Sequence, residues 1–446
     1  MMRGRLAPRA RVLPMWLALL AVAAPPAAAQ GIIMGTMSGW TFSFSGNVNA
    51  FIVYTDPKCS DGAPACDFAG NLIPTGTDQK VLRVRTGLAP AFAIFEVKGK
   101  EGGLDVGAHF GIAPEIQSLD QLHDTCGTPS GQCGAQIDLR EAYLTVGGTW
   151  GQLLAGRAIG LYQQQNLLTD MTVFGVGLSG GGAGFTGNGT TLGHIGTGYS
   201  YPNFNAQVTF STPANRPWRW SIGLFDPSVI NAENGAVPVG QCCFRVTRSP
   251  RLETEVVYTK HTGAAGSADK FMFYASGLFA NVKNIASGDL CAPYFGDPAG
   301  CKDAVTPWGL AGGLEWNKSG VQFDLSGFYQ EGVGTAFMFT DGLGVDYAGD
   351  RRTSYGYLMQ LQWMPRDSKW KFGASYGDTD LERSGDDVDN ENDFLMKYNT
   401  ATVGAVTYLW TRSFRSVFEY TYGDSQAYDG TKITSSQGAL GVMLFF

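Results

Sequence analysis

The chain has 446 residues, 39 Asp+Glu against 32 Lys+Arg, and only 16% charged residues, against about 25% for a typical soluble domain. Its 61 glycines and 12% aromatic residues, with so few charges, suit a barrel whose outer face meets lipid. The acidic balance argues against a nucleic-acid partner, whose usual footprint is a basic face.

Residues 1–29 read as a secretory signal peptide. Arg3, Arg5, Arg9 and Arg11 form a basic start, 13–24 an apolar run, and Ala27, Ala28 and Ala29 a small-residue cleavage site before Gln30. The apolar run is too short to span a bilayer, and no later stretch is long and apolar enough to do so. Residues 30–446 are then one domain. Without the four leader arginines the chain carries 28 basic against 39 acidic residues, a formal charge of −11.

The first mature strand sets the pattern. Trp40, Phe42, Phe44, Val48, Ile52 and Tyr54 alternate with Thr41, Ser43, Ser45, Asn47 and Asn49. A period of two is a strand with one apolar and one polar face. This one is long enough to cross a bilayer at a tilt. The eight cysteines of an exported chain favour disulfides. Local spacing predicts Cys59–Cys66, Cys126–Cys133 and Cys291–Cys301, while Cys242 and Cys243 form a strained vicinal bond or pair elsewhere. With four scattered histidines and no C-x-x-C, no metal site and no cofactor are expected.

From Gly151 a strand runs into a glycine-rich stretch reaching about Thr190, without the polar periodicity of a surface helix. A long loop of this kind inside a compact domain is usually functional, and it is expected to fold into the barrel lumen and narrow it. Alternation returns at Trp308 to Trp316, Tyr355 to Trp363, Trp370 to Tyr376 and Phe414 to Tyr422, with aromatics at strand ends as in membrane girdles. Short connections fall near 99–103, 147–151, 202–204, 261–268, 317–320, 365–368 and 411–413. Long ones fall near 56–79, 113–136, 160–190, 226–249, 284–306, 331–353, 378–394 and 424–432. Short and long alternate, which predicts an all-β, sixteen-stranded antiparallel transmembrane barrel with both ends periplasmic. All eight cysteines lie in long loops, on the outside. The chain ends on an apolar face, Leu440, Val442, Leu444 and Phe446, suited to closing a barrel.

Several of these segments resemble the Gram-negative general porins. LREAYLTVGGTWGQLLAGR (139–157) resembles their strand with an Arg-x-Ala-Tyr core that turns through Gly and ends in Gly-Arg. GYSYPNFNAQVTF (198–210) resembles their Tyr-x-Ser-Pro-Asn-Phe turn, and FEVKGKEGGLDVGAHFG (95–111) their second hairpin. The loop cysteines and the acid-poor third loop depart from the family. The resemblance implies a homotrimeric outer-membrane barrel in a Gram-negative bacterium, embedded in lipid and lipopolysaccharide. It also implies Phe446 as the signal read by the barrel assembly machinery, and a third loop whose carboxylates face wall arginines.

Arg83 and Arg85 share one strand face. That face should be the lumen, because arginine facing lipid costs about 2–4 kcal/mol at mid-bilayer. Arg140 and Arg157 match the family's strand arginines, and Asp170 is the single carboxylate of the third loop. These five residues are the expected pore constriction. The plainer reading makes the arginines solvated lumen residues away from the narrowest point. Asp105 and His109 are expected to face inward. The acid-rich seventh loop, 378–393, reads as a solvated loop or as a divalent-cation bridge to lipopolysaccharide. The expected function is passive diffusion of small hydrophilic solutes. The alternative is a substrate-selective channel for organic acids or other anions. An enzyme would need a paired nucleophile and base, and no histidine stands in such an arrangement.

Overall fold

The computed structural model describes residues 32–37, 39–60, 66–74, 80–114, 116, 137–180, 190–230, 244–246, 249–263, 267–284, 302–346 and 348–446. The leader and cysteines 126, 133, 242, 243, 291 and 301 lie outside the described residues. Eighteen strand segments form one sheet, and they occupy sixteen positions around a closed antiparallel barrel. The strands are β1 (Trp40–Cys59), β2 (Val81–Arg85 and Phe92–Glu101), β3 (Leu104–Pro114), β4 (Ile137–Gly148), β5 (Gly151–Ile159), β6 (Phe204–Ser211), β7 (Trp218–Phe225) and β8 (Arg251–His261). They continue as β9 (Lys270–Phe279), β10 (Trp308–Lys318), β11 (Val321–Glu331), β12 (Thr353–Trp363), β13 (Trp370–Glu382), β14 (Met396–Leu409), β15 (Phe414–Ala427) and β16 (Lys432–Phe445).

Two segments share the β2 position because both pair with β1, Val81–Arg85 with its upper half and Phe92–Glu101 with its foot. Ile32–Met37 folds back on that foot as a hairpin. The barrel closes where β16 pairs with β1 from Asn47↔Phe445 to Cys59↔Ile433. Closure leaves no open edge in lipid. Phe446 completes the seam, exchanging backbone hydrogen bonds with Gly46 and packing on Phe44 with ring centroids 5.2 Å apart.

Period two separates the faces as expected. Val48, Ile52 and Tyr54 are exposed on β1, whereas Asn47, Asn49, Phe51 and Val53 are buried. Aromatic pairs mark the short-turn ends, among them Trp150–Phe210, Trp218–Tyr258 and Trp370–Tyr408. Tyr329–Tyr355 and Tyr357–Tyr376 mark the other rim.

Two connections differ from expectation. The third loop runs on to 203, and the short turn joins β6 to β7 at 212–217, not at 202–204. Asn203 does turn the chain, with φ 54°, but its carbonyl accepts from the Gly160 amide. It closes the base of the loop and does not join two strands. The seventh and eighth connections are also shorter than expected, 383–395 and 428–431, because β13, β15 and β16 run further.

The long loops pack into the barrel mouth. Tyr162, Ile230, Val282, Val333 and Phe339, drawn from loops three to six, form one buried cluster with Leu278 and Phe328 of the wall. Cys66, Phe68 and Ile73 of the first loop form another with Leu343 and Leu395. A disulfide joins Cys59, the last residue of β1, to Cys66. A three-stranded patch, Phe244–Val246, Val282–Asn284 and Ala304–Val305, links the fourth and fifth loops.

Candidate constriction and the cavity beneath it

The third loop begins at Gly160 and holds one short helix, α1 (Gln164–Thr169), and a 3-10 turn, Met171–Phe174. Asp170 sits between them. Its Oδ1 accepts from the Thr172 amide at 2.8 Å and its hydroxyl at 2.7 Å. Its Oδ2 accepts from the Tyr199 hydroxyl at 2.7 Å and the His194 amide at 3.2 Å. All of these partners belong to the loop, and Asp170 is 3% exposed. The carboxylate knots the loop together and does not present a charge to a wall arginine.

Buried backbone donors need partners, and the wall supplies them from many sides. Glu253 on β8 accepts from the amides of Leu161 and Tyr162 at 2.8 and 2.9 Å. Gln360 on β12 accepts from the Met171 amide at 2.6 Å and donates to the Thr169 carbonyl at 3.0 Å. Glu419 on β15 accepts from the amides of Val176 and Gly177 at 2.6 and 3.1 Å. Gln437 on β16 accepts from the Ser179 amide and donates to the Gly177 carbonyl. Ser375 on β13 contacts His194 Nε2 at 2.7 Å. Anchors on β8, β12, β13, β15 and β16 place the loop across the lumen.

One stretch of wall reaches in to meet it. Between the two halves of β2, residues 86–91 leave the ladder, and the amides of Leu88 and Ala89 donate to the carbonyls of Gly175 and Val173. Asn49 caps the detour, accepting from the Gly87 amide and donating to the Ala89 carbonyl, both at 2.9 Å. The approach is close enough to require glycine. A Cβ on Gly87 would stand 2.1 Å from the Gly175 carbonyl oxygen, and one on Gly175 would stand 1.9 Å from Glu419 Oε1.

The expected constriction residues are not brought together. Arg83 and Arg85 pair with Val53 and Phe51 of β1, so they share the lumen face, Arg83 exposed and Arg85 buried. Arg140 falls where the β3–β4 register shifts, between Gly111 and Ile112. It bonds Asp138 Oδ2 at 2.9 Å, contacts the Tyr201 hydroxyl at 3.5 Å, and lies over the Phe204 ring. Arg157 pairs with Ala142 and Ala206, on the face that exposes Leu144, Leu153 and Val208. It is therefore on the outer side of the wall, not in the lumen. His109 faces inward, its Nε2 2.9 Å from Glu141 Oε2 and its ring stacked on Tyr143. Asp105 pairs with Lys100 at the turn below.

Sequence reasoning missed the cations beneath the loop. A cavity of about 370 Å³ lies between Met171 and Phe174 of the loop and the walls of β12 to β15. Its cations are Lys369, Lys371, Arg412 and Arg415, and its carboxylates are Asp170 and Glu419 alone. Arg415 is held over the rings of Phe445 and Phe174, 4.4 and 5.6 Å from their centroids. Among the described residues no carboxylate lies within ion-pair distance of Lys371 or Arg415. On the neighbouring wall Glu315 pairs with Lys270 at 2.9 Å, and Asp324 accepts from the Gln322 amide at 3.0 Å.

Two acids of the seventh loop, Asp387 and Asp393, are engaged within the protein. Asp378, Asp380 and Glu382 belong to β13. Asp387, in the short helix α2 (Gly385–Asp389), makes a two-point ion pair with Arg352 at 2.7 and 2.8 Å. Asp393 pairs with Arg383. Among the described residues no cluster of acids, histidines or cysteines has metal-binding spacing.

A family model described as Gram-negative porin matches residues 17–442. Among solved structures, the outer membrane channel DcaP of Acinetobacter baumannii aligns with a TM-score of 0.62 at 14% identity, over 93% of this chain and 99% of that one. The anion-selective porin from Comamonas acidovorans aligns at 0.55 and 9% identity, over 91% and 100%. Outer-membrane expressed OmpT of Vibrio cholerae aligns at 0.53 and 12%, over 93% and 100%. Comparison with curated protein sequences gives no match. A closed sixteen-stranded barrel with a loop across its lumen, matched over nearly its whole length, belongs to the Gram-negative porin family and is an outer-membrane channel for passive diffusion.

Proposed function

We propose that this porin favours anions, and that the cations beneath the third loop set the preference. The observation that carries this is the cavity lining, four cations against two carboxylates. Both carboxylates already accept hydrogen bonds from loop amides, so little of their charge is available to a passing ion. Basic groups at a narrow point favour anions. The Comamonas acidovorans porin with a similar fold is anion-selective, which is compatible with this reading. Arg83 and Arg85 remain secondary lumen charges. In a salt gradient the reversal potential should have the anion sign, and Lys371→Met with Arg415→Gln should move it toward cations. Arg157→Ala, on the outer face, should leave it unchanged. Wild-type cation preference would refute the reading.

The homotrimer, the contacts with lipopolysaccharide, and recognition of Phe446 by the barrel assembly machinery are also proposals. So are the leader at 1–29 and the two disulfides Cys126–Cys133 and Cys291–Cys301. Family membership and the seating of Phe446 on Phe44 support the assembly reading. Electrophoresis of unheated outer-membrane protein tests it. Wild type should run as a trimer, and Phe446→Asp should lose most of that band. An undiminished trimer band from the variant would count against the role of Phe446. No enzymatic activity is proposed.

A further inference from the structure

The cavity beneath the third loop is more than a charged surface, because half of its chemistry is apolar. Met171 and Phe174 close it from the loop, and Leu409 and Val417 line the wall. Phe174 meets Phe445 edge to face, centroids 5.5 Å apart. Met171 can lie against the wall because position 373 is glycine, where a Cβ would stand 3.1 Å from its sulfur. A bare inorganic anion gains nothing from such walls. A ligand with a flat apolar body gains dispersion contacts and contacts with the thioether and ring.

We propose that this cavity is a binding site for a small aromatic monocarboxylate of the benzoate class. The proposal rests on the anion-preferring reading above and names the solute class that the same residues would retain. The carboxylate takes the place between Lys371 and Arg415, which have no carboxylate partner among the described residues. The Arg415 Nε is buried without a hydrogen-bond partner among the described residues. The guanidinium is already oriented by the rings on which it lies, so little side-chain entropy is lost when it engages a ligand. The ring of the ligand lies against Phe174 and Met171. The volume, about 370 Å³, is at the small end of ligand pockets and suits one ring. Lys371 and Arg415 form one pair of cations in the cavity, which one carboxylate satisfies.

The test is current block in planar bilayers containing the full-length channel. Sodium benzoate is compared with sodium acetate, which has the charge without the ring, and with benzyl alcohol, which has the ring without the charge. Benzoate should reduce the chloride current along a saturating curve. Acetate should do so about tenfold more weakly, and benzyl alcohol should not block. Phe174→Ala should weaken benzoate block about three- to tenfold, the range expected for one aromatic pair beyond simple burial. Lys371→Met should weaken it by about tenfold or more, as expected for a charge-assisted hydrogen bond. Arg157→Ala on the outer face is the control and should block like wild type. Equal, unsaturating effects of benzoate and acetate would overturn the site, as would full benzoate block in Phe174→Ala. An anion-preferring channel without saturation retires the site and leaves the charge reading standing. A cation-preferring channel with saturable benzoate block does the reverse.

Discussion

Glu419 offers a direct test of how the third loop is held. Its Oε2 accepts from the amides of Val176 and Gly177, and the residue is 2% exposed. Glu419→Ala removes the acceptor and leaves two buried donors without it. Each such orphan costs about 1–3 kcal/mol, so the docked loop should lose about 2–6 kcal/mol. At about 1.4 kcal/mol per tenfold, the smaller figure already raises the undocked population roughly 30-fold. The barrel itself should survive. The β15 ladder spans Phe414↔Leu444 to Gln426↔Lys432 on one side and Met396↔Ala427 to Leu409↔Arg415 on the other, through backbone groups the substitution does not touch. Single-channel recording should therefore show larger and noisier openings, while the heat-modifiable band of the folded barrel stays intact. Glu419→Gln keeps a carbonyl acceptor in nearly the same place and should sit near wild type. The reasoning would be wrong if Glu419→Ala were as quiet as wild type, or if Gln and Ala variants behaved alike.

The sixth and seventh loops should come apart in acid. Burial alone would raise the Asp387 pKa, but the Arg352 guanidinium, the Asn392 amide and the Ser384 backbone hold it down at about 2. A depressed carboxyl contributes stability above its unfolded value and loses it as pH falls through the folded one. Protection of the 383–395 amides, taken relative to the intrinsic exchange rate at each pH, should thus be high at pH 5 and fall as pH approaches about 2. Asp387→Asn should abolish most of that dependence, and an unchanged profile in the variant would refute the assignment.

Much of the fold is legible in the sequence, and the reasons are physical. The strands with unbroken period two, such as Trp40 to Tyr54 and Tyr355 to Trp363, could be placed because each must serve two solvents at once. The third-loop base was misplaced because Pro202 and Asn203 make a real turn, and local turn chemistry does not reveal that its partner is Gly160. Arg140 was lost to a register shift, which periodicity alone cannot locate. Arg157 could have been placed correctly. Leu153 and Ala155 precede it at intervals of two and mark its face as the apolar outer one. Lys371 and Arg415 were equally readable, each flanked by outward aromatics, Trp370 and Phe372 for one and Phe414 for the other. What no sequence pattern showed was that a loop would bring Met171 and Phe174 down onto them.

The proposed anion preference runs against the formal charge of the chain, and the structure offers a reason. Glu253 and Glu419, lumen-facing wall acids, and Asp170, within the third loop, all accept hydrogen bonds from backbone amides of that loop. A carboxylate whose lone pairs are turned to fixed N–H donors is a poor attractor for a mobile cation, since its field is partly cancelled by the dipoles it binds. In the seventh loop Asp387 and Asp393 are paired with Arg352 and Arg383, and exposed acids farther than a Debye length from the cavity are screened by salt. Lys371 and Arg415 have no carboxylate partner among the described residues. On the proposed reading, an acidic chain presents a basic passage because these acids belong to the scaffold that holds the loop, while Lys371 and Arg415 face the cavity beneath it.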